Sequence, residues 1–192
     1  RISGIERDVY LYSQPKVAIK DFRVTSTLDD TYKNGIFKLT MDIRNTGSQT
    51  SKDYIIGYKV FDPKTNKVIA ESEKNSAFNA NSTISLFGHT EIEIPDVKTW
   101  TSEHPNLYKL LMYIKDGEKI VEMVPFNIGF RRIEIKPIEQ KAANGQPYVC
   151  LFINGQPLKL KGVNIHEHNP ATGHYVPEDL MRRDFELMKR HN

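Results

Sequence analysis

The chain has one cysteine and one tryptophan in 192 residues. A single thiol, Cys150, excludes an intrachain disulfide framework and leaves the redox compartment open. It lies in the apolar run Tyr148-Val149-Cys150-Leu151-Phe152, where a thiol reads as a small buried hydrophobe and not as a nucleophile. No stretch approaches the roughly 18 apolar residues that a membrane-spanning helix needs. Blocks of one charge sign are also missing. The 27 Lys and Arg are interleaved with 24 Asp and Glu for a net charge of +3, a dispersion that argues against a nucleic-acid surface. The nearest basic pair, Arg131-Arg132, reads as a solvated strand end in preference to a phosphate site. Neither an initiator Met nor a signal-peptide pattern precedes Arg1-Ile2-Ser3, and with the abrupt stop at Arg190-His191-Asn192 the chain reads as a piece of a longer protein. Asn81-Ser82-Thr83 matches a glycosylation sequon, a triplet common by chance.

What is present is strand grammar. An apolar fraction of 39% and a charged fraction of 27% suit a globular protein with a real core. Val17–Val24 reads as a first strand. Ile36–Ile43 follows, with Phe37, Leu39, Met41 and Ile43 alternating against Lys38, Thr40 and Asp42, so that one face is buried and one solvated. Tyr54–Phe61 and Val68–Glu71 flank the turn Asp62-Pro63-Lys64-Thr65-Asn66, and Tyr54, Tyr58 and Phe61 read as core. Thr83–Ile94 alternates again. Leu107–Ile114 and Lys119–Phe126 flank Asp116-Gly117 as a hairpin. Seven or so short strands over about 110 residues are the count of an immunoglobulin-like sandwich. The Cys-Trp-Cys signature of antibody domains is absent.

After Phe130 the pattern changes. Ile133–Ile138 and Tyr148–Phe152 read as strands, and Asn154-Gly155 as a hairpin turn onto a strand over Leu158–Val163, because both residues tolerate positive φ. Pro177-Glu178-Asp179 opens a helix whose Met181, Phe185 and Met188 recur at helical spacing, broadened by Leu180 and Leu187. A strand feeding a helix implies the start of a second, α/β domain. Between them lies His166-Glu167-His168, at a strand end, where α/β barrels place their chemistry. In an extended segment the two imidazoles project to one side and Glu167 to the other. Three readings fit: two zinc ligands awaiting a remote third, a polar pocket wall donating to sugar hydroxyls, or two histidines and a carboxylate satisfying one another in a loop. The helical zinc pattern is absent, since position 170 is Pro.

Gly162-Val163-Asn164-Ile165-His166-Glu167-His168-Asn169-Pro170, with Asp184-Phe185-Glu186-Leu187-Met188-Lys189-Arg190-His191-Asn192, resembles the opening of the catalytic barrel of family-two glycoside hydrolases. Within that family the match is to β-galactosidases, whose usual form is Gly-Val-Asn-Arg-His-Glu-His-His-Pro. Gly4-Ile5-Glu6-Arg7-Asp8-Val9-Tyr10-Leu11 is similar to the last strand of the family's sugar-binding jelly roll. Trp100-Thr101-Ser102-Glu103-His104-Pro105-Asn106-Leu107-Tyr108 and Ile128-Gly129-Phe130-Arg131 resemble the closing signatures of its sandwich domain. Ile165 stands where the family usually has Arg, and Asn169 where it often has a second His.

The resemblance implies a mainly β chain: an immunoglobulin-like β-sandwich followed by the truncated start of a (β/α)8 barrel. Residues 1–15 would be the last strand and linker of the jelly roll, 16–129 the sandwich, and 130–192 the first part of the barrel. It implies retaining hydrolysis of terminal β-galactosides by two glutamates on later barrel strands, beyond Asn192, so that no catalytic residue lies in this chain. His166 is the expected sugar contact, with Asn164 and His168 as further candidates, and Glu167 orients the loop. No metal ligands are expected in this stretch; Mg and Na ions are candidates for the longer protein. The implied partner is a β-galactoside, with no nucleic acid and no membrane, and the longer protein would be a homo-oligomer in the cytoplasm, periplasm or secreted space of a bacterium. The alternatives are a β-glucuronidase, which needs a carboxylate-recognising site further along, and a non-catalytic carbohydrate-binding or adhesion module, which needs aromatic side chains exposed on a sheet face.

Overall fold

A computed structural model describes residues 5, 7–62, 64–88 and 91–191. Gly4 and Glu6 of the N-terminal segment, Pro63 of its turn, His89 and Thr90 of the expected Thr83–Ile94 strand, and Asn192 therefore lie outside the described residues. Two compact units emerge, Gln14–Leu158 and a smaller one drawn from Arg1–Ser13 and Lys159–Asn192. Among the described residues no helix is long and apolar enough to cross a membrane.

The larger unit is a two-sheet sandwich. One sheet has the order β1 (Val17–Leu28), β2 (Gly35–Asn45), β5 (Ser82–Leu86), with β6 (Glu91–Ile94) also on β2. The other has the order β4 (Val68–Ser76), β3 (Tyr54–Phe61), β7 (Tyr108–Asp116), β8 (Lys119–Ile128), all antiparallel. The alternation in β2 is realised residue by residue: Phe37, Leu39, Met41 and Ile43 are buried, and the residues between them are not. Ile56, Tyr58 and Val60 of β3 and Leu110, Met112 and Ile114 of β7 face them across the core. Each such apolar side chain taken from water contributes roughly 1.5–3 kcal/mol, which is why a strict period of two selects this pairing. Tyr58 is core, as its spacing predicts, whereas Tyr54 and Phe61 are half-buried. The expected single strand Thr83–Ile94 is instead two, separated after Leu86. Phe87 takes φ 66° and turns inward, 5.2 Å from the Tyr58 ring. Burial of a large ring overrides its poor fit to the left-handed region, and Gly88 follows directly in the break.

Asn45 is the buried polar residue of this core. Its Nδ2 donates to the carbonyls of Gln49, Phe78 and Asn79, and its Oδ1 accepts the Gly47 N–H at 2.8 Å. Backbone groups of two loops that no strand pairs are thereby satisfied.

The two closing signatures of the sandwich meet at one place. Gly129 passes directly beneath Trp100, and a Cβ there would come within 2.9 Å of the indole, so only glycine fits. Phe130 is buried, edge-on to Tyr108 at 5.2 Å, and its carbonyl accepts the Trp100 N–H at 2.8 Å. The Arg131 guanidinium lies 4.6 Å from the centre of the Trp100 ring. Asn106 ties the same loop by donating to the Thr99 carbonyl, and the Tyr108 hydroxyl accepts the Lys98 N–H.

This junction also holds the next hairpin. β9 (Ile133–Lys141), β10 (Pro147–Ile153) and the two-residue β11 (Gln156–Pro157) form a third sheet within the same unit. Asn154 and Gly155 take φ 49° and 76°, the mirror-image turn their sequence predicts. Asn154 does more than turn the chain. Its Oδ1 accepts the Arg132 N–H at 2.9 Å, its own N–H donates to the Arg132 carbonyl, and its Nδ2 donates to the Trp100 carbonyl at 3.0 Å. Tyr32 closes the other side: its hydroxyl donates to Glu134 and accepts from Lys136, both at 2.8 Å. Arg132 bridges Asp30 and Glu134. Of the basic pair, Arg131 is exposed, as expected of a solvated strand end, though it lies over the indole, whereas Arg132 is half-buried and ion-paired. Cys150, in β10, is half-buried and not fully buried.

The strand expected over Leu158–Val163 does not form. Pairing ends at Pro157, and only the Leu158 N–H reaches back, to the Leu151 carbonyl. A strand exists only against a neighbour, and no described strand lies beside residues 159–163. Residues 7–13 likewise carry no ladder pairing. In the smaller unit, α1 (Glu178–Arg190) starts after Pro177, with Glu178 and Asp179 in its first turn and Lys189 and Arg190 in its last, as the dipole favours. None of its residues is buried; Phe185 is 62% exposed, so the apolar stripe is only partly covered.

Asn154→Ala removes two side-chain hydrogen bonds and places a Cβ-branched-free but chiral residue at positive φ. We expect a loss of about 2–4 kcal/mol in urea unfolding, with faster amide exchange concentrated in 132–157. Unchanged exchange in that hairpin would remove Asn154 as its anchor. The Glu134 carboxyl is held below the ordinary glutamate range, first by the Lys136 hydrogen bond and then by that of Tyr32, with burial acting in the opposite sense. A carboxyl lowered on folding stabilises at pH above the ordinary range, and that contribution is lost as pH falls through the folded value. The melting-temperature gap between the wild type and Glu134→Gln should therefore be constant near neutrality and narrow below the glutamate range. Parallel curves down to strongly acid pH would show that the carboxylate contributes nothing.

Candidate functional site

The His-Glu-His segment belongs to the smaller unit. Residues 159–168 are exposed and carry no strand or helix. What gives the segment a shape is its end. Asn169 and Gly173 exchange both backbone hydrogen bonds at 2.8 Å, and the Asn169 Oδ1 accepts the Ala171 N–H, closing the turn 169–173 with Gly173 at φ 69°. The side chain that departs from the family pattern is thus spent on loop closure. The His168 ring meets that of His174 edge to face, at 5.3 Å.

A hollow of about 80 Å³ is walled on one side by Ile165, His166, Glu167 and His168. Val176 and α1, through Met181 and Phe185, form the other side. His166 and His168 both line this hollow. Glu167 shares that wall, against the expectation that it projects oppositely. The period-two rule holds for strands, and this segment is not one. Asn164 is exposed and is not part of the wall. Ile165 is also on it, 57% exposed, where the family's Arg would put charge.

The Glu167 carboxylate is ion-paired with the Arg7 guanidinium. Sequence reasoning missed Arg7, and no local signal could have found it, because the partners are 160 positions apart. His174 was missed for a different reason: a histidine six residues past His168, after a Gly, matches no spacing rule. Among the described residues, no group of three or more His, Cys, Asp or Glu side chains is gathered to hold a metal ion. Chemically the hollow offers imidazole donors beside an apolar wall, the mix that suits a sugar ring with polar edges and apolar faces.

Known proteins agree with this architecture. The family model "Glycosyl hydrolases family 2" matches residues 17–131, and "Glycosyl hydrolases family 2, TIM barrel domain" matches 148–192. A β-galactosidase of Streptococcus thermophilus is 34% identical over 192 residues, covering 100% of this chain and 16% of that protein. One from Priestia megaterium is 36% identical over 195 residues, covering 100% of this chain and 17% of that protein. The chain thus spans about a sixth of the length of these relatives. Among solved structures, a β-glucuronidase of Parabacteroides merdae superposes with a TM-score of 0.71 at 23% identity, covering 91% of this chain and 20% of that one. A β-glucuronidase of Bacteroides uniformis gives 0.71 at 19% identity, covering 88% and 19%. At such identities the likeness speaks for the fold alone.

Proposed function

Because the chain belongs to glycosyl hydrolases family 2, with a sandwich domain followed by the start of its TIM barrel domain, we propose that it is part of a β-galactosidase. In this reading residues 1–15 lead in from a jelly-roll domain, 16–129 are the linking sandwich, and 130–192 open the catalytic barrel. The observation that carries the specificity is the pair of curated β-galactosidases at 34% and 36% identity along the whole chain. A β-glucuronidase is the second reading, favoured by the solved structures of similar fold. It is weaker because their identity is 23% or less and because the motif reads His-Glu-His, where related glucuronidases more often have His-Glu-Asp.

The reaction proposed is retaining hydrolysis, with one glutamate protonating the leaving oxygen and another, about 5 Å away, attacking the anomeric carbon. Neither glutamate is assigned to this chain; Glu167, already neutralised by Arg7, suits neither role. His166 donates a hydrogen bond to a galactose hydroxyl, strongest as charge develops on the ring. His168, edge to face with His174, holds the wall, and Asn164 is a further contact. Mg and Na ions find no fitting cluster among the described residues, and no step runs through them. The longer protein is proposed to be a homo-oligomer.

The longer protein should hydrolyse a nitrophenyl β-galactoside in preference to the β-glucuronide, and this 192-residue chain alone should hydrolyse neither. A preference for the glucuronide would transfer the assignment to the second reading. Within the longer protein, His166→Ala should lower kcat by about 10², with kcat/KM falling in parallel, because the lost donor acts chiefly in the transition state. His168→Ala should lower the melting temperature more than kcat. A near-wild-type kcat for His166→Ala would make that histidine structural.

A further inference from the structure

We propose that Arg7 is a positioning residue for the sugar-facing histidines, acting through Glu167; this rests on the β-galactosidase reading. The segment 159–168 has no ladder of its own among the described residues, and all of it is exposed, so backbone pairing does not fix which way its side chains point. The turn at Asn169 anchors its C-terminal end. Glu167 stands between His166 and His168, and its carboxylate is held by the guanidinium of Arg7. Holding the middle side chain of three in an irregular segment restricts the backbone on both sides, and so the directions of both imidazoles.

The choice of side chain fits this role. Arginine presents a rigid, planar fork that orients a carboxylate, whereas lysine offers a mobile point charge. The side chains of Arg7 and Glu167 remain 59% and 51% exposed, and a pair so solvated adds little to global stability. Its effect falls on geometry. A small displacement of a group that must meet the transition state is felt far more in turnover than in folding. Arg7 also belongs to the segment preceding the sandwich, while Glu167 follows it, so the pair ties together two chain segments in one compact unit. The Gly-Ile-Glu-Arg-Asp segment thereby gains a function beyond connecting domains.

The test is a double-mutant cycle in the longer protein with Arg7→Ala, Glu167→Gln, their combination, and the charge swap Arg7→Glu with Glu167→Arg. Each single change should lower kcat/KM on the β-galactoside about tenfold, mainly through kcat, with the melting temperature nearly unchanged. The combination should be no worse than either single change, and the swap should recover part of the loss; Arg7→Lys should fall between wild type and Arg7→Ala. The cycle separates the Arg7–Glu167 coupling from whatever else Arg7 touches. Amide exchange over 164–170, compared between wild type and Arg7→Ala, needs no substrate and should accelerate in the variant. It decides the ion pair even if the wild type fails to cleave galactosides, which would sink only the functional reading. Additive losses, or unchanged exchange with unchanged kcat/KM, would overturn the proposal. So would a loss confined to Glu167→Gln, which would make Glu167 a substrate contact.

Discussion

The contact on which the larger unit depends is the stack of Trp100 on Gly129, with Phe130 driven into the core and Arg131 laid over the indole. Glycine at 129 lets the indole lie against the backbone, and the carbonyl of the same Trp100 accepts from the Asn154 amide. One close approach therefore couples the last strand of the sandwich, the loop before β7 and the hairpin that leads toward the barrel. Two separate sequence signatures, one around Trp100 and one around Phe130, are the two halves of a single physical device.

Directional contacts make that device suited to a linking domain. A purely apolar seam would tolerate sliding, whereas Asn154, Tyr32, Glu134 and Arg132 each require a partner at a defined angle. The hairpin β9–β10–β11 is thereby part of the same compact unit as the sandwich, although it follows the sandwich in sequence. The segment bearing the histidines begins where that ordering ends, after Leu158, and takes its shape from other contacts: the Asn169 turn, the His168–His174 rings and the Arg7–Glu167 pair.

The sandwich was legible because its signal is local and repeated. Four inward residues in β2 at a period of two leave no other register that buries them, and Asn154-Gly155 names its turn outright; Gly117 marks the other hairpin, whose turn is Gly117-Glu118 because Asp116 still pairs with Lys119. What escaped was set by distance or by packing. The break at Phe87 packs that ring against Tyr58 across the core, and the only local hint of it was Gly88, which the expected strand ran through. The strand expected over Leu158–Val163 has suitable residues but no neighbour to pair with among the described strands. At the candidate site, His166 and His168 share one hollow, but not for the reason their spacing gave, since the segment is no strand and Glu167 lines the same hollow. The Arg7 partner of Glu167 was not, since the sequence carries no record of which surface charges meet. Asn169, which stands where the family often has a second His, closes the turn 169–173 through its hydrogen bonds.

The central claim is that the wall carrying His166 faces the sugar. The most direct measurement is chemical protection in the longer protein: the rate at which diethyl pyrocarbonate modifies each histidine, read by peptide mass spectrometry with and without a non-hydrolysable β-galactoside. The account predicts that the ligand slows modification of His166 severalfold while His104, exposed in the sandwich loop, reacts at the same rate in both samples. Equal rates at His166 with and without a saturating ligand would contradict it.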